Sequence, residues 1–279
     1  MVTMSALDRL LPIWAVFPGF IALVMFAVVL GNRIGRSRAA ESIPEGPVGS
    51  VVGSMLGLLA FMLAFTFGIA SSRFDARKQL LLDDVNAISA AVHRSELLPE
   101  PHRSESLALL RRYVDLRVEV AGDPTSIRAA TVETATLQRR LWSHAVTLAK
   151  ADMNSDIGAL YVEALDDLAA VHTSRMTVAL QYRIPVPIWY VLILLTVMCM
   201  GGVGYQFGIA GRSSVMLELW LAIAFAAVVT VIAQLDRPTS GMLRVSQQPM
   251  LDLQARLEAP PTTETATPVA PDSTGHRGR

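Results

Sequence analysis

The side chains of this sequence that could hold a metal or move a proton are five histidines, His93, His102, His144, His172 and His276, and two carboxylate pairs, Asp83-Asp84 and Asp166-Asp167. Their spacing suits neither task. A helical zinc site needs ligands about one turn apart, and these histidines are scattered. Neighbouring residues on a helix point about 100° apart, so neither aspartate pair shares a face for acid–base work. All are read as solvated surface, with no metal site and no catalytic set. No glycine-rich phosphate loop follows a strand, so neither an enzyme nor a bound cofactor is expected. Cys199, alone inside an apolar run, excludes an intrachain disulfide and a cysteine cluster and is read as lipid-facing or packed.

One regular pattern stands out. Gly49, Gly53, Gly57, Phe61, Phe65 and Ile69 recur every fourth residue, and Ala60, Ala64, Gly68 and Ser72 run beside them. Small residues at this spacing let helix backbones approach closely in lipid, where packing drives association. Gly49 and Gly53 are therefore expected against another helix. Each four-residue step advances the stripe about 40° beyond a full turn, which suits a helix tilted in a bundle. Spacing alone leaves Phe61 and Phe65 either as filler or lipid-facing bulk in a four-helix monomer, or as a functional face.

The elements that carry these residues are membrane helices. Charged residues are 17% of the chain, below the roughly 25% of soluble domains, and mean hydropathy is +0.42. Four windows, 11–30, 49–70, 187–210 and 215–235, are each apolar for about the 20 residues that a helix needs to span a bilayer. The first is too long for a signal peptide, lacks a basic leader and shows no cleavage site. Glu218, in the first turn of the last window, is expected at headgroup level. Eight basic residues (Arg9, Arg73, Arg77, Lys78, Arg175, Arg183, Arg237, Arg244) flank one side and four (Arg33, Arg36, Arg38, Arg212) the other, which places both termini in the cytoplasm. Net charge is zero, so no nucleic-acid partner is expected.

Residues 71–183 hold 14 of the 24 basic and 15 of the 24 acidic side chains, so this segment belongs in water. The second span meets no breaker until Pro99 and Pro101, which predicts one helix that leaves the membrane and continues. Ser104 offers the cap of a helix with Leu107, Leu110, Val114 and Val118 on one face, ended at Gly122. A third helix from about Ser126 carries Leu137, Leu141, Trp142 and Leu148, and a fourth from about Ser155 carries Leu160, Leu165, Leu168 and Val171. The expected organisation is a first helix pair (1–70), a cytoplasmic helical domain (71–183), a second pair (184–236), a cytoplasmic C-terminal segment (237–258) and a disordered tail rich in Pro and Thr (259–279).

The stretch Gly57-Leu-Leu-Ala-Phe-Met-Leu-Ala-Phe-Thr-Phe-Gly-Ile-Ala-Ser-Ser-Arg73-Phe-Asp-Ala-Arg77, with the following Leu-Leu-Leu-Asp-Asp-Val-Asn-Ala-Ile and Glu-Leu-Leu-Pro99-Glu-Pro, resembles the bacterial bestrophin-like family. So does Leu235-Asp-Arg-Pro-Thr-Ser-Gly241. That family is remotely similar to the bestrophins, pentameric anion channels with four membrane helices per subunit and a second helix that lines an apolar neck. The resemblance implies an all-α membrane fold and a homo-oligomer, a pentamer, in the bacterial inner membrane, conducting small ions, chloride first. It puts Phe61 and Phe65, twelve and eight residues before Arg73, at two neck positions. The third falls on Gly57, a departure that shortens or widens the constriction. Arg73 and Arg77 become candidate anion holders in a cytoplasmic vestibule, or positive-inside anchors. No acidic calcium clasp is matched. A membrane scaffold without conductance is the alternative.

Overall fold

The computed structural model describes residues 13–38, 45–122, 126–181, 184–211, 214–237 and 245–259. Its described residues form helices α1 (Ile13–Arg38), α2 (Glu45–Ser95), α3 (His102–Gly122), α4 (Ile127–Ala151), α5 (Asp156–Gln181), α6 (Val186–Ile209), α7 (Val215–Asp236) and α8 (Gln248–Glu258), with no strand among them. Four, α1, α2, α6 and α7, are long and apolar enough to cross a membrane. The predicted tail, beyond Ala259, and His276 lie outside the described residues, as do the first residues of the 11–30 window.

α2 is the axis of the molecule. Its 51 residues extend about 77 Å at 1.5 Å per residue, more than twice the roughly 30 Å of a hydrocarbon core. It runs unbroken because no proline follows Pro47 until Pro99. Its first half contributes Leu59 and Leu63 to a core with Val24 and Val28 of α1, Cys199 and Met200 of α6, and Ala226 and Ile232 of α7. Its second half contributes Ile88 and Ala91 to a separate core with Leu110 and Tyr113 of α3, Leu141 of α4, and Tyr161 and Leu168 of α5.

The tightest membrane packing lies between α1 and α6. A Cβ on Gly31 would stand 2.0 Å from the Gly201 carbonyl oxygen, and one on Gly204 2.1 Å from that of Val28. Gly35 and Gly208 meet the opposing backbone in the same way. Backbones in van der Waals contact are what small-residue spacing permits in lipid.

Several expectations need correction. α3 starts at His102, and Ser104 is inside it: the Glu100 carboxylate accepts the Ser104 N–H at 3.3 Å, with Pro101 just ahead of the first turn, where its missing N–H costs nothing. Leu160 and Trp142 are exposed; Tyr161 is buried in place of the first, while Leu141, itself expected in the core, is buried beside the second. Glu218, in the first turn of α7, is also buried. Of the two placements left open for it, Cys199 takes the packed one. The segment after α7 contains a helix, α8, that was not foreseen; it lays Met250 and Leu253 into the second core.

Candidate functional site

The stripe on α2 faces out of the protomer. Leu59, Leu63 and Ala70 turn inward and are buried, as is Thr66, whose hydroxyl donates to the Met62 carbonyl at 2.7 Å. On the opposite side Gly53, Gly57, Ala60, Phe61, Ala64, Phe65 and Gly68 are exposed. Phe61 and Phe65 are 65% and 55% exposed, so filler within the monomer does not describe them. Their rings stand 6.4 Å apart at an interplanar angle of 14°. A Cβ on Gly53, Gly57 or Gly68 would meet nothing within 4 Å. Gly49 alone of the stripe's glycines touches a neighbouring helix, through the Gln206 side chain of α6.

Arg73 and Arg77, further along α2, do not share that face. At 3.6 residues per turn Arg73 lies about 120° and Arg77 about 160° round the helix from Phe61. The Arg77 guanidinium donates through Nη2 to the carbonyl of Leu235 at the end of α7, where a cation also offsets the helix dipole. Beside it the Asp236 carboxylate accepts the Ile184 N–H at 2.8 Å and caps the entry to α6. Arg73 Nη1 is likewise buried in protein.

Two turns further along, Asp84 is fully buried. Arg175 of α5 donates to its Oδ2 through Nη1, and Arg117 Nε of α3 stands 3.5 Å from the same oxygen. Arg117 also lies over the Tyr113 ring, 4.6 Å from its centroid, and donates to His172 Nδ1 at 2.6 Å. Burial, then the charge of Arg117, pushes His172 down to about 4. Burial raises the Tyr113 hydroxyl. Asp84 and His172 are therefore not the solvated surface expected of them, whereas Asp166 and Asp167 are exposed as expected. His102 and His144 also depart from expectation: their Nδ1 atoms are 3.0 Å apart and both rings are partly buried. Among the described residues no three His, Cys, Asp or Glu side chains converge as a metal site.

Residues 19–250 match the family described as Bestrophin-like domain. The chain belongs to that family. No curated protein matches it in sequence. Among solved structures, this bestrophin-like chain is similar to point variants of a bacterial bestrophin homologue from Klebsiella pneumoniae. One aligns at 16% identity with a TM-score of 0.64, covering 85% of this chain and 97% of its own. Another aligns at 20% identity with a TM-score of 0.60, covering 86% and 98%. The all-helical bestrophin fold is thereby shared.

Two features of this bestrophin-like chain escaped the sequence reading, and both left signals. Gly31 and Gly35, like Gly204 and Gly208, are spaced four apart inside apolar windows. Asp84 falls between Leu81 and Ile88 on the apolar stripe of α2, an acid where a core residue belongs.

Proposed function

We propose that this chain is the subunit of a homo-oligomeric ion channel of the cell inner membrane, in which α2 lines the path and Phe61 and Phe65 form an apolar neck. The observation that carries the reading is the outward face of α2. A membrane helix that presents two large aromatics and a row of small residues away from its own protomer has only lipid, a lumen or another copy to face. In a ring of copies the row Gly53, Gly57, Ala60 and Ala64 gives the close approach that neighbouring helices need. The phenylalanines then ring an apolar constriction that gates by dewetting. Gly57 leaves it wider on one side.

The resemblance to bestrophins supports five copies and implies chloride as the ion. Aromatic rings have positive edges and negative faces, so the neck alone discriminates weakly by sign. Both termini and the charged helical domain are assigned to the cytoplasm by the excess of basic residues on that side. Arg77 acts as an anchor at the inner boundary.

The test is conductance in reconstituted bilayers of wild type and the double variant Phe61→Ala with Phe65→Ala. Removing the dewetted barrier raises the resting current, while the fold survives, because side chains facing a lumen lack the packing partners whose loss costs about 3–5 kcal/mol in a core. A native mass of one subunit, or a ring that passes no current in either form, rejects the channel and leaves a scaffold.

A further inference from the structure

α4 carries two apolar stripes, and the bundle uses only one of them. Ala130, Thr134, Leu137, Leu141 and Ala145 are buried against the protein. Val132, Ala135, Trp142, Val146 and Ala149 lie about 120° round the helix from those and are all exposed. With Arg139 between Ala135 and Trp142 they recur alternately three and four residues apart, over about 26 Å of helix. This is the a and d spacing by which one helix seats its side chains between those of another.

The charges on this face have one sign. Arg128, Arg139 and Lys150 are exposed and lie within about 60° of the outer stripe. None of the three has an ion pair with a described residue. Arg139 donates only to the Ala135 carbonyl and the Thr136 hydroxyl, each at 3.2 Å. Glu133, the one carboxylate of α4, is turned about 160° from the stripe and is held by Arg112 at 2.8 Å.

We infer that the outer face of α4 is a docking surface for an acidic amphipathic helix of a separate protein, with Trp142 as its anchor and a carboxylate of the partner facing Arg139. The spacing calls for a helix and the unpaired cations call for acid. Tryptophan and arginine are the residues around which interfaces gather their affinity. A cation within the seam also fixes the register, because a partner without a carboxylate at that level leaves it covered and unpaired. Other occupants fit this face less well. α4 packs on α3 and α5, and α2 packs on α3, α5 and α8, so α4 lies across the bundle from α2. Ile88, which α2 turns into that core, is about 180° from Phe61, and a ring closed on Phe61 leaves α4 at its rim. With residues buried at each turn from Ala130 to Ala145, α4 stands lengthwise in a bundle that α2 carries away from the bilayer, so this face is a side wall and does not lie on lipid. Residues 260–279 of the chain itself hold Pro260, Pro261, Pro268 and Pro271, which a continuous helix does not accommodate. The surface stands whether or not the protein conducts.

The experiment titrates the full-length protein in lipid nanodiscs with a labelled three-heptad peptide, leucine at a and d and glutamate at e and g, read by fluorescence anisotropy. The peptide should bind, more weakly as salt is raised, and its counterpart with lysine for glutamate should not. Trp142→Ala and, separately, Arg139→Glu should each weaken binding by about tenfold or more. Both side chains are exposed, so unfolding temperature and native mass should stay as in wild type. No binding of the acidic peptide, equal binding of the two peptides, or wild-type affinity in Trp142→Ala overturns the inference. If Trp142→Ala does not fold, Arg139→Glu decides by the same criterion. A lower native mass for Trp142→Ala rejects a separate partner and makes the face a contact between copies, with the exposed Asp156, Asp166 and Asp167 of α5 as its counterpart. A dye on Ser143→Cys labels one site, since Cys199 is buried; its quenching by spin-labelled phosphatidylglycerol in proteoliposomes rejects the inference in favour of the membrane.

Discussion

Acidification should loosen the extension of α2, and His172 sets the pH range. In the folded protein its ring accepts a hydrogen bond from Arg117 and its pKa is pushed down to about 4, first by burial and then by Arg117. Unfolded, it titrates near 6.5. Between these values the unfolded chain binds a proton that the folded one refuses, so stability falls as pH drops through 6.5 and the loss is complete below about 4. Taken whole, the difference is worth about 3 kcal/mol. The ring is only partly buried, and solvent screening reduces this to roughly 1–2 kcal/mol. His172→Gln keeps an acceptor for Arg117 and removes the titration. Thermal unfolding of detergent-purified wild type and variant from pH 7 to pH 4 should show wild type losing roughly 2–8 °C more than the variant. Carboxylates common to both cancel in the difference. Equal slopes for the two proteins would refute the reasoning.

Two further outcomes are expected. Gly204→Leu should prevent stable folding of the membrane core, because its side chain would enter the Val28 backbone, whereas Gly53→Leu, with open space in the protomer, should leave the monomer stable and weaken only the ring. Thermal stability and native mass of each variant separate the effects, and a stable Gly204→Leu would show that α1 and α6 do not meet as described. A cysteine at Met153, which is 89% exposed, should escape an impermeant thiol reagent in intact cells, while labelling from outside would invert the topology.

What was legible in the sequence was periodicity and its interruption. The four membrane helices and the unbroken exit of α2 follow from apolar length and from the absence of proline between Pro47 and Pro99. The outward orientation of Phe61 and Phe65 did not follow, because spacing shows that residues share a face and not what the face meets. The arginines show the same limit. Arg73 and Arg77 read as a pair one turn apart beyond Phe61 and Phe65, but the side each residue faces is set by rotation of the whole helix, and they fall behind the phenylalanines. Asp84 was masked by its neighbour: two adjacent acids look alike until burial chooses between them. α8 is only 11 residues long, too short to be stable without tertiary contacts, and those are absent from a one-dimensional pattern.

The rotation of α2 is what makes its outward face a consequence of the fold. Arg77 and Asp84 are seven residues apart and share an azimuth to within about 20°. One is hooked on the Leu235 carbonyl and the other is held between Arg117 and Arg175. Phe61 lies about 160° and 140° from them, so both anchors pull on the side opposite the phenylalanines. Turning the helix to bury Phe61 and Phe65 in the protomer would draw Asp84 away from two arginines and strand them in a buried site, a loss of about 3–5 kcal/mol. The buried charges of the second core therefore fix which side chains the membrane half of α2 presents outward, about 30 Å away along one rigid helix.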